Sequence, residues 1–363
     1  MRYEDADPIY MTRYGSHAFG LATPASDLDL RGVFVAPREY FLGFLRRVEH
    51  LQKNEDGVEV FLFEIAKFFR LAADANPSTL EILFTHPDDV VRSTPLGDRL
   101  RALGPDFLSR RIRQTFGGYA HQQLRRIRSH RRWLLDPPAR PPERADFGLP
   151  GQPPVSKAQL EAAESMIRKK TSEWAIDFGD AEAAVKIEIE EQIARYLSEV
   201  ASAVGIDGDV EHLRFMAAAG TLGFDANFLD YLDRERHYRR AVREWSQYQE
   251  WLANRNPERS QLERRFGYDT KHAMHLVRLL RMAAEILATG QVRVRRPDRE
   301  ELLAIRERGI WSYEELVGWA ERQEAELDAL AASEDCPLPS QPNRRKLDAA
   351  CVALVEEALG LAA

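Results

Sequence analysis

Apolar residues recur about every 3.6 positions through nearly every segment after Ser156, and no other feature restricts the possible folds so strongly. Residues 157–176, 188–204, 225–254, 269–290, 300–308, 312–333 and 344–360 all read as helices. The first hundred residues behave differently. The stretch VEVFLFE (58–64) alternates and is rich in β-branched and aromatic residues, which predicts a strand. DLDLRGVFVA (27–36) predicts a second. After the first of these, Ile65, Phe68, Phe69 and Ala72 share one face of a helix. Asn76-Pro77 then reads as an N-cap followed by proline at the first helical position, opening a helix through Leu80 and Leu83. A mixed start and a helical remainder predict an α+β chain: a small mixed sheet with helices, then a mostly α-helical C-terminal domain.

Two segments separate these parts. Residues 107–135 hold no acidic side chain but carry Arg110, Arg111, Arg113, Arg125, Arg126, Arg128, Arg131 and Arg132. Their period is helical, with Phe116, Tyr119 and Leu124 as apolar members. Residues 137–154 contain seven prolines and read as a loop or linker without packing of its own. QVRVRR (291–296) is compatible with a short strand. At 363 residues the chain exceeds the ~250–300 at which single cores stop growing. The expected division is 1–104, a basic helix and linker over 105–155, and a helical domain over 156–363.

The balance of 51 basic and 58 acidic residues, net −7, excludes a globally basic nucleic-acid coat but leaves room for a local basic groove. Cys336 and Cys351 are the only cysteines, which excludes a disulfide scaffold and a cysteine-based zinc module and fits a reducing compartment. No run reaches the ~18 apolar residues of a membrane span. The first ten residues, MRYEDADPIY, do not read as a secretory signal. A cytoplasmic protein without a membrane partner is expected.

The segment that carries chemistry is Gly15-Ser16-His17-Ala18-Phe19-Gly20, followed by Ser26-Asp27-Leu28-Asp29. Asp27 and Asp29 are two apart on an expected strand, so both side chains leave one face. Adjacent carboxylates repel unless a cation lies between them, and hard oxygen ligands at this spacing suit Mg²⁺ together with substrate phosphates. A Gly-Ser turn before a short helix, HAFGLA, offers backbone N–H groups and a hydroxyl to a polyphosphate. A third carboxylate on a neighbouring strand completes a two-metal site. Glu59 and Glu64 are the candidates, on opposite faces of 58–64, and Glu59 is favoured. Each piece alone has a plain structural reading, as a solvated turn or an exposed strand residue.

Together, GSHAFG and SDLDLRGV resemble the signature of the DNA polymerase β-like nucleotidyltransferase superfamily. KFFRLAADANPSTLEILF (67–84), TFGGYAHQQLRRI (115–127) and residues 254–290, with GYDTKHAMHLVRL, resemble its RlaP-type, RNA-ligase-associated branch. The resemblance implies a polymerase β-like catalytic domain. Gly15 and Ser16 match the phosphate-holding pair, Asp27 and Asp29 the paired metal ligands, and Glu59 the place of a third carboxylate that is more often Asp. It implies two Mg²⁺ ions, with Mn²⁺ as the alternative, an NTP (ATP first), an RNA acceptor and action beside an RNA ligase.

Lys271, His275 and Arg278 lie at i, i+4 and i+7, on one helical face. As a functional face they form a cationic stripe that grips a triphosphate or acceptor phosphates; as a structural one they form a salt-bridging surface. Arg125, Arg126 and Arg128 likewise either track an RNA backbone or pair with acids such as those of 182–191. The expected reaction is transfer of a nucleoside monophosphate from an NTP to an acceptor hydroxyl, with release of pyrophosphate. The alternatives are a protein or small-molecule acceptor, and a catalytically silent nucleotide or RNA sensor. A P-loop kinase is excluded, because G-x-x-x-x-G-K-[ST] is absent.

Overall fold

The computed structural model describes residues 1, 3–24, 26–55, 57–173 and 210–361. The helix expected over 188–204, the acidic stretch 182–191 and the end of the helix expected over 157–176 lie outside these residues. Five strands form one mixed sheet: β1 (Pro8–Tyr14), β2 (Leu28–Phe34), β3 (His50–Glu55), β4 (Val58–Glu64) and β5 (Val90–Ser93), in the order β3-β4-β2-β1-β5. Only β2 and β4 run parallel. The sequence marks β2 and β4; of the other three, β3 and β5 are the edges of the sheet and β1 lies inside it between β2 and β5.

The helices of the first part are α1 (Gly15–Ala18), α2 (Arg38–Leu42), α3 (Ile65–Ala73), α4 (Pro77–Leu83), α5 (Pro95–Ala102) and α6 (Ile112–Leu135). The second part supplies α7 (Lys157–Glu173), α8 (Val210–Thr221), α9 (Ala226–Ala253), α10 (Pro257–Phe266), α11 (Thr270–Thr289), α12 (Arg299–Arg308), α13 (Tyr313–Ala332) and α14 (Arg344–Ala358). Their starts follow capping chemistry. The Asn76 side chain accepts from Ser78 N–H ahead of Pro77, and Ser312 and Glu315 form a reciprocal capping box. QVRVRR forms no strand. Its Arg296 N–H donates to the Phe19 carbonyl, but no ladder continues, and its side chain is held by Glu285 and Asp298.

The chain forms two compact units, and their boundaries differ from the expected ones. One contains residues 1–137 and 256–363; the other contains 138–255. The C-terminal helices therefore belong with the sheet. In the first unit, one sheet face carries Tyr10 and Val33 into a core shared with Ile65, Phe68, Phe116, Leu276, Leu280 and Ile286. Each such side chain contributes about 1.5–3 kcal/mol by leaving water. The opposite face has a smaller core around Phe34, Leu51 and Leu62. In the second unit, Leu160, Ile167, Phe215 and Leu232 form a separate core. The proline-rich stretch is anchored there, unlike the free linker expected: Arg144 pairs with Glu235 at 2.8 Å and Leu149 is buried. Among the described residues, no helix is long and apolar enough to cross a membrane.

Candidate active site

Strand register assembles the site. β2 and β4 pair so that Asp29 stands directly beside Glu59, and β1 pairs with β2 so that Tyr14 stands opposite Asp29. Side chains level with one another across a ladder share a face. Asp29, Arg31 and Val33 therefore lie on the same side as Glu59, Phe61 and Phe63, the side that Val33 carries into the main core. Asp27 is exposed and sits one residue before β2; Asp29 is half-buried. The chain turns after Tyr14 at Gly15, whose φ of +61° favours glycine. A Cβ at Gly15 would lie 2.8 Å from the Asp29 Oδ2 atom, so only glycine lets this turn close against the carboxylate.

The turn is tighter than the sequence suggested. Helix α1 begins at Gly15 and ends at Ala18, where a helix over HAFGLA was expected. Phe19 N–H donates to the Gly15 carbonyl, Gly20 N–H to His17 and Leu21 N–H to Ser16, at 2.7–3.0 Å. Gly20, with φ of +71°, ends the turn there. Ser16 is half-buried beside this turn.

The choice between the two glutamates follows from the same ladder. Glu64 is buried and caps α3, accepting from Ala66 N–H at 2.9 Å and Lys67 N–H at 3.2 Å. Glu59 is the glutamate placed beside Asp29. It accepts a 2.9 Å hydrogen bond from Arg31. The Arg31 guanidinium lies 5.3 Å from the Tyr14 ring and 5.4 Å from the Phe61 ring. Sequence reasoning missed Arg31, although its signal was present: D-x-D-x-R continues the same two-residue period. Burial raises the Asp29 pKa above the ordinary carboxylate range. Arg31 and Lys271 oppose that rise, and Glu59 and Asp27 add to it. A group of carboxylates whose charges resist one another in a partly desolvated pocket is suited to a hard divalent cation. Asp27, Asp29 and Glu59 thus fit Mg²⁺ by donor chemistry.

Helix α11 does not present a uniform cationic stripe. Lys271 is exposed and without an ion pair among the described residues; partial desolvation, then Arg259 and Arg306, lower its pKa, while Asp269 and Asp27 oppose. Burial, then Arg278, holds His275 far below the usual histidine range, so the imidazole is neutral. Arg278 is buried, pairs with Glu81 at 2.5 Å and lies 3.7 Å from the Phe19 ring centroid. Glu81 also accepts from Tyr14 Oη at 2.8 Å. Arg278 therefore braces the Tyr14–Phe19 turn from behind, and Lys271 is the free cation of the three.

Ahead of α11, Asp269 caps the helix through His272 N–H. Its Oδ2 atom also accepts from Arg259 at 2.5 Å and from His130 Nδ1 at 3.2 Å, with His272 Nε2 at 3.6 Å. Although the His130, Asp269 and His272 side chains are close enough to hold a metal ion, Arg259 occupies the carboxylate and makes the place an arginine–aspartate–histidine network.

The arginines of α6 divide. Arg113 grips Asp328 through two bonds of 2.6 and 2.8 Å, Arg131 pairs with Glu314 and Arg128 lies 3.8 Å from Glu321. Just ahead of α6, Arg110 donates to the carbonyls of Leu338, Ala331 and Cys336. The acids that meet Arg113, Arg128 and Arg131 come from α13. Arg125 and Arg126 are exposed and have no such partner among the described residues.

Residues 2–134 match the family described as RlaP, the RNA repair pathway DNA polymerase beta family. They carry an RlaP-type, polymerase β-like nucleotidyltransferase region; the match stops short of residues 254–290. The chain is also similar to an uncharacterized 38.9 kDa protein in the nrdC-mobD intergenic region of Enterobacteria phage T4. The two are 38% identical over 95 residues, covering 23% of this chain and 28% of the phage protein. No solved structure matches.

Proposed function

We propose that this chain, with an RlaP-type region over residues 2–134, transfers a nucleoside monophosphate from an NTP, ATP foremost, to a hydroxyl at an RNA end. The observation that carries the reading is the alignment of Asp29 with Glu59 across the parallel β2/β4 pair, with Asp27 beside them and Gly15 closed against Asp29. Bound by Asp27, Asp29 and Glu59, Mg²⁺ would neutralise triphosphate oxygens and lower the pKa of the attacking hydroxyl. The remaining roles fall to the chain itself. Ser16 and the backbone of the α1 turn orient the triphosphate. Lys271, whose charge reaches Asp27 and Asp29, offsets charge on the departing pyrophosphate. Arg31 holds Glu59 in place. His275 and Arg278 act behind this surface, one as neutral packing and the other as the brace of the turn. Positioning and electrostatics suffice for such chemistry, so no covalent nucleophile is required. The family's description as an RNA repair pathway supports RNA over a protein or small molecule as acceptor. Action beside an RNA ligase in the cytoplasm belongs to the same proposal.

The test uses Asp27→Asn and Asp29→Asn with labelled NTP, Mg²⁺ and an RNA acceptor. Each variant should lose at least about 10³-fold in incorporation, since metal-borne stabilisation is worth several kcal/mol. The thermal midpoint should hold or rise, because Asp29 no longer carries a desolvated charge. Undiminished incorporation by both variants would sink the assignment.

A further inference from the structure

Three cations gather at the start of α11 without a counter-ion. Thr270 Oγ1 donates to the Arg306 carbonyl at 2.6 Å, which sets Arg306 beside Lys271. The His130 and His272 rings lie 5.5 Å apart, and Arg126, one turn before His130 on α6, shares its face. Among the described residues, Arg126, Lys271 and Arg306 have neither an ion pair nor a side-chain hydrogen bond. The acids within the cluster, Asp269 and Glu263, are buried and both are engaged by Arg259. Like charges held near one another repel, and with the neighbouring acids already engaged by Arg259 the arrangement suits an anion.

We propose that Arg126, Lys271 and Arg306 form a phosphoryl-binding subsite that adjoins the Asp27–Asp29–Glu59 group and is separate from it. Guanidinium forks match the tetrahedral oxygens of a phosphoryl group, and Lys271 adds a point charge on the side of Asp27. Lys271 is the member whose charge acts on Asp29 and Asp27, while Arg306 and Arg126 act on the neighbouring His275 and His272. The choice of phosphoryl over other anions rests on the nucleotidyl-transfer reading above. Two sources offer this group, the outer phosphates of an NTP and the phosphates of an RNA acceptor.

Titration calorimetry in EDTA separates the subsite from the metal. The probes are sodium tripolyphosphate and a short oligoribonucleotide with either a 5′-phosphate or a 5′-hydroxyl. The wild-type chain should bind at least one, with affinity falling as salt rises. Arg126→Gln, Lys271→Gln and Arg306→Gln should each weaken binding about tenfold, the scale of one charge-assisted contact. Arg47→Gln, an exposed arginine in the β2–β3 connection, removes the same charge and should bind as the wild type does. Loss confined to tripolyphosphate assigns the subsite to the NTP. Loss confined to the 5′-phosphorylated RNA assigns it to the acceptor end, and loss with both oligonucleotides to the acceptor backbone. Wild-type chain that binds none of the probes overturns the proposal, as do cluster variants that bind like Arg47→Gln. Failure of the Asp27 and Asp29 variants to lose transfer would overturn the catalytic reading alone, because the calorimetry uses no metal.

Discussion

Two basic regions of the first compact unit differ in whether their charge is matched. Along the α6–α13 seam, basic side chains meet acids or carbonyls: Arg113 with Asp328, Arg131 with Glu314, Arg110 with three backbone oxygens. Around the start of α11, Lys271, Arg306 and Arg126 meet none among the described residues. Charge content is therefore a poor guide to function, and unpaired charge is a better one. A guanidinium already matched by a carboxylate has little to offer a phosphate. The arginines of α6 are open in sequence to either an RNA backbone or acidic partners, and Arg113, Arg128 and Arg131 meet acids of α13.

Removing a buried, paired cation should cause the largest stability change. Arg278→Met leaves the buried Glu81 without its ion-pair partner, and should destabilise the fold by about 3–5 kcal/mol in urea unfolding. A loss below about 1 kcal/mol would mean that the Glu81 pair does not brace the turn. Lys271→Gln, two helical turns earlier, should leave stability nearly unchanged and so define the other limit.

Acid should produce an intermediate effect. Desolvation holds the His272 pKa down at about 3, and the His130 and Arg259 contacts hold the Asp269 pKa below its ordinary value despite burial. Between about pH 6.5 and about pH 3 the unfolded chain takes up a proton that folded His272 refuses, so stability falls as pH falls. Asp269 adds a loss of the same sign at the acid end. The thermal midpoint should decline from about pH 7 to about pH 4, and His272→Gln should make the decline shallower. An unchanged slope in that variant would remove His272 from the account.

The smallest effect belongs to the seam's exposed end. Arg128 and Glu321 are 3.8 Å apart and both are largely in water. Arg128→Gln should change stability by less than about 1 kcal/mol by thermal or urea unfolding. A larger loss would show that the seam is cooperative.

Much of this molecule was legible in local pattern. The strand read over 58–64 has the observed bounds, and the one read over 27–36 is seen over 28–34, because alternation of β-branched and aromatic residues is a strong local signal. Asn76-Pro77 opens α4 as its chemistry requires. Strands β3 and β5 were illegible for the converse reason. HLQKNE buries only Leu51, and VVRS spans four residues, so neither has an apolar face to read. The division of the chain misled because residues 138–255 are inserted between parts of one unit, and proximity of 1–137 to 256–363 leaves no mark on composition.

Local pattern, with its turn and cap chemistry, determined the α+β class and most helix limits. These depend on contacts within a few residues, where φ/ψ preference and side-chain period decide the outcome. The tertiary structure decided which glutamate stands beside Asp29, and that Arg31 joins it. It also decided that Arg278 is buried against Glu81 while Lys271 remains free. Those outcomes depend on strand register and helix packing between residues 28 to 197 positions apart. At that separation each group's partner, and therefore its charge state, is chosen by burial and by competition among many acids and bases, which no local spacing encodes.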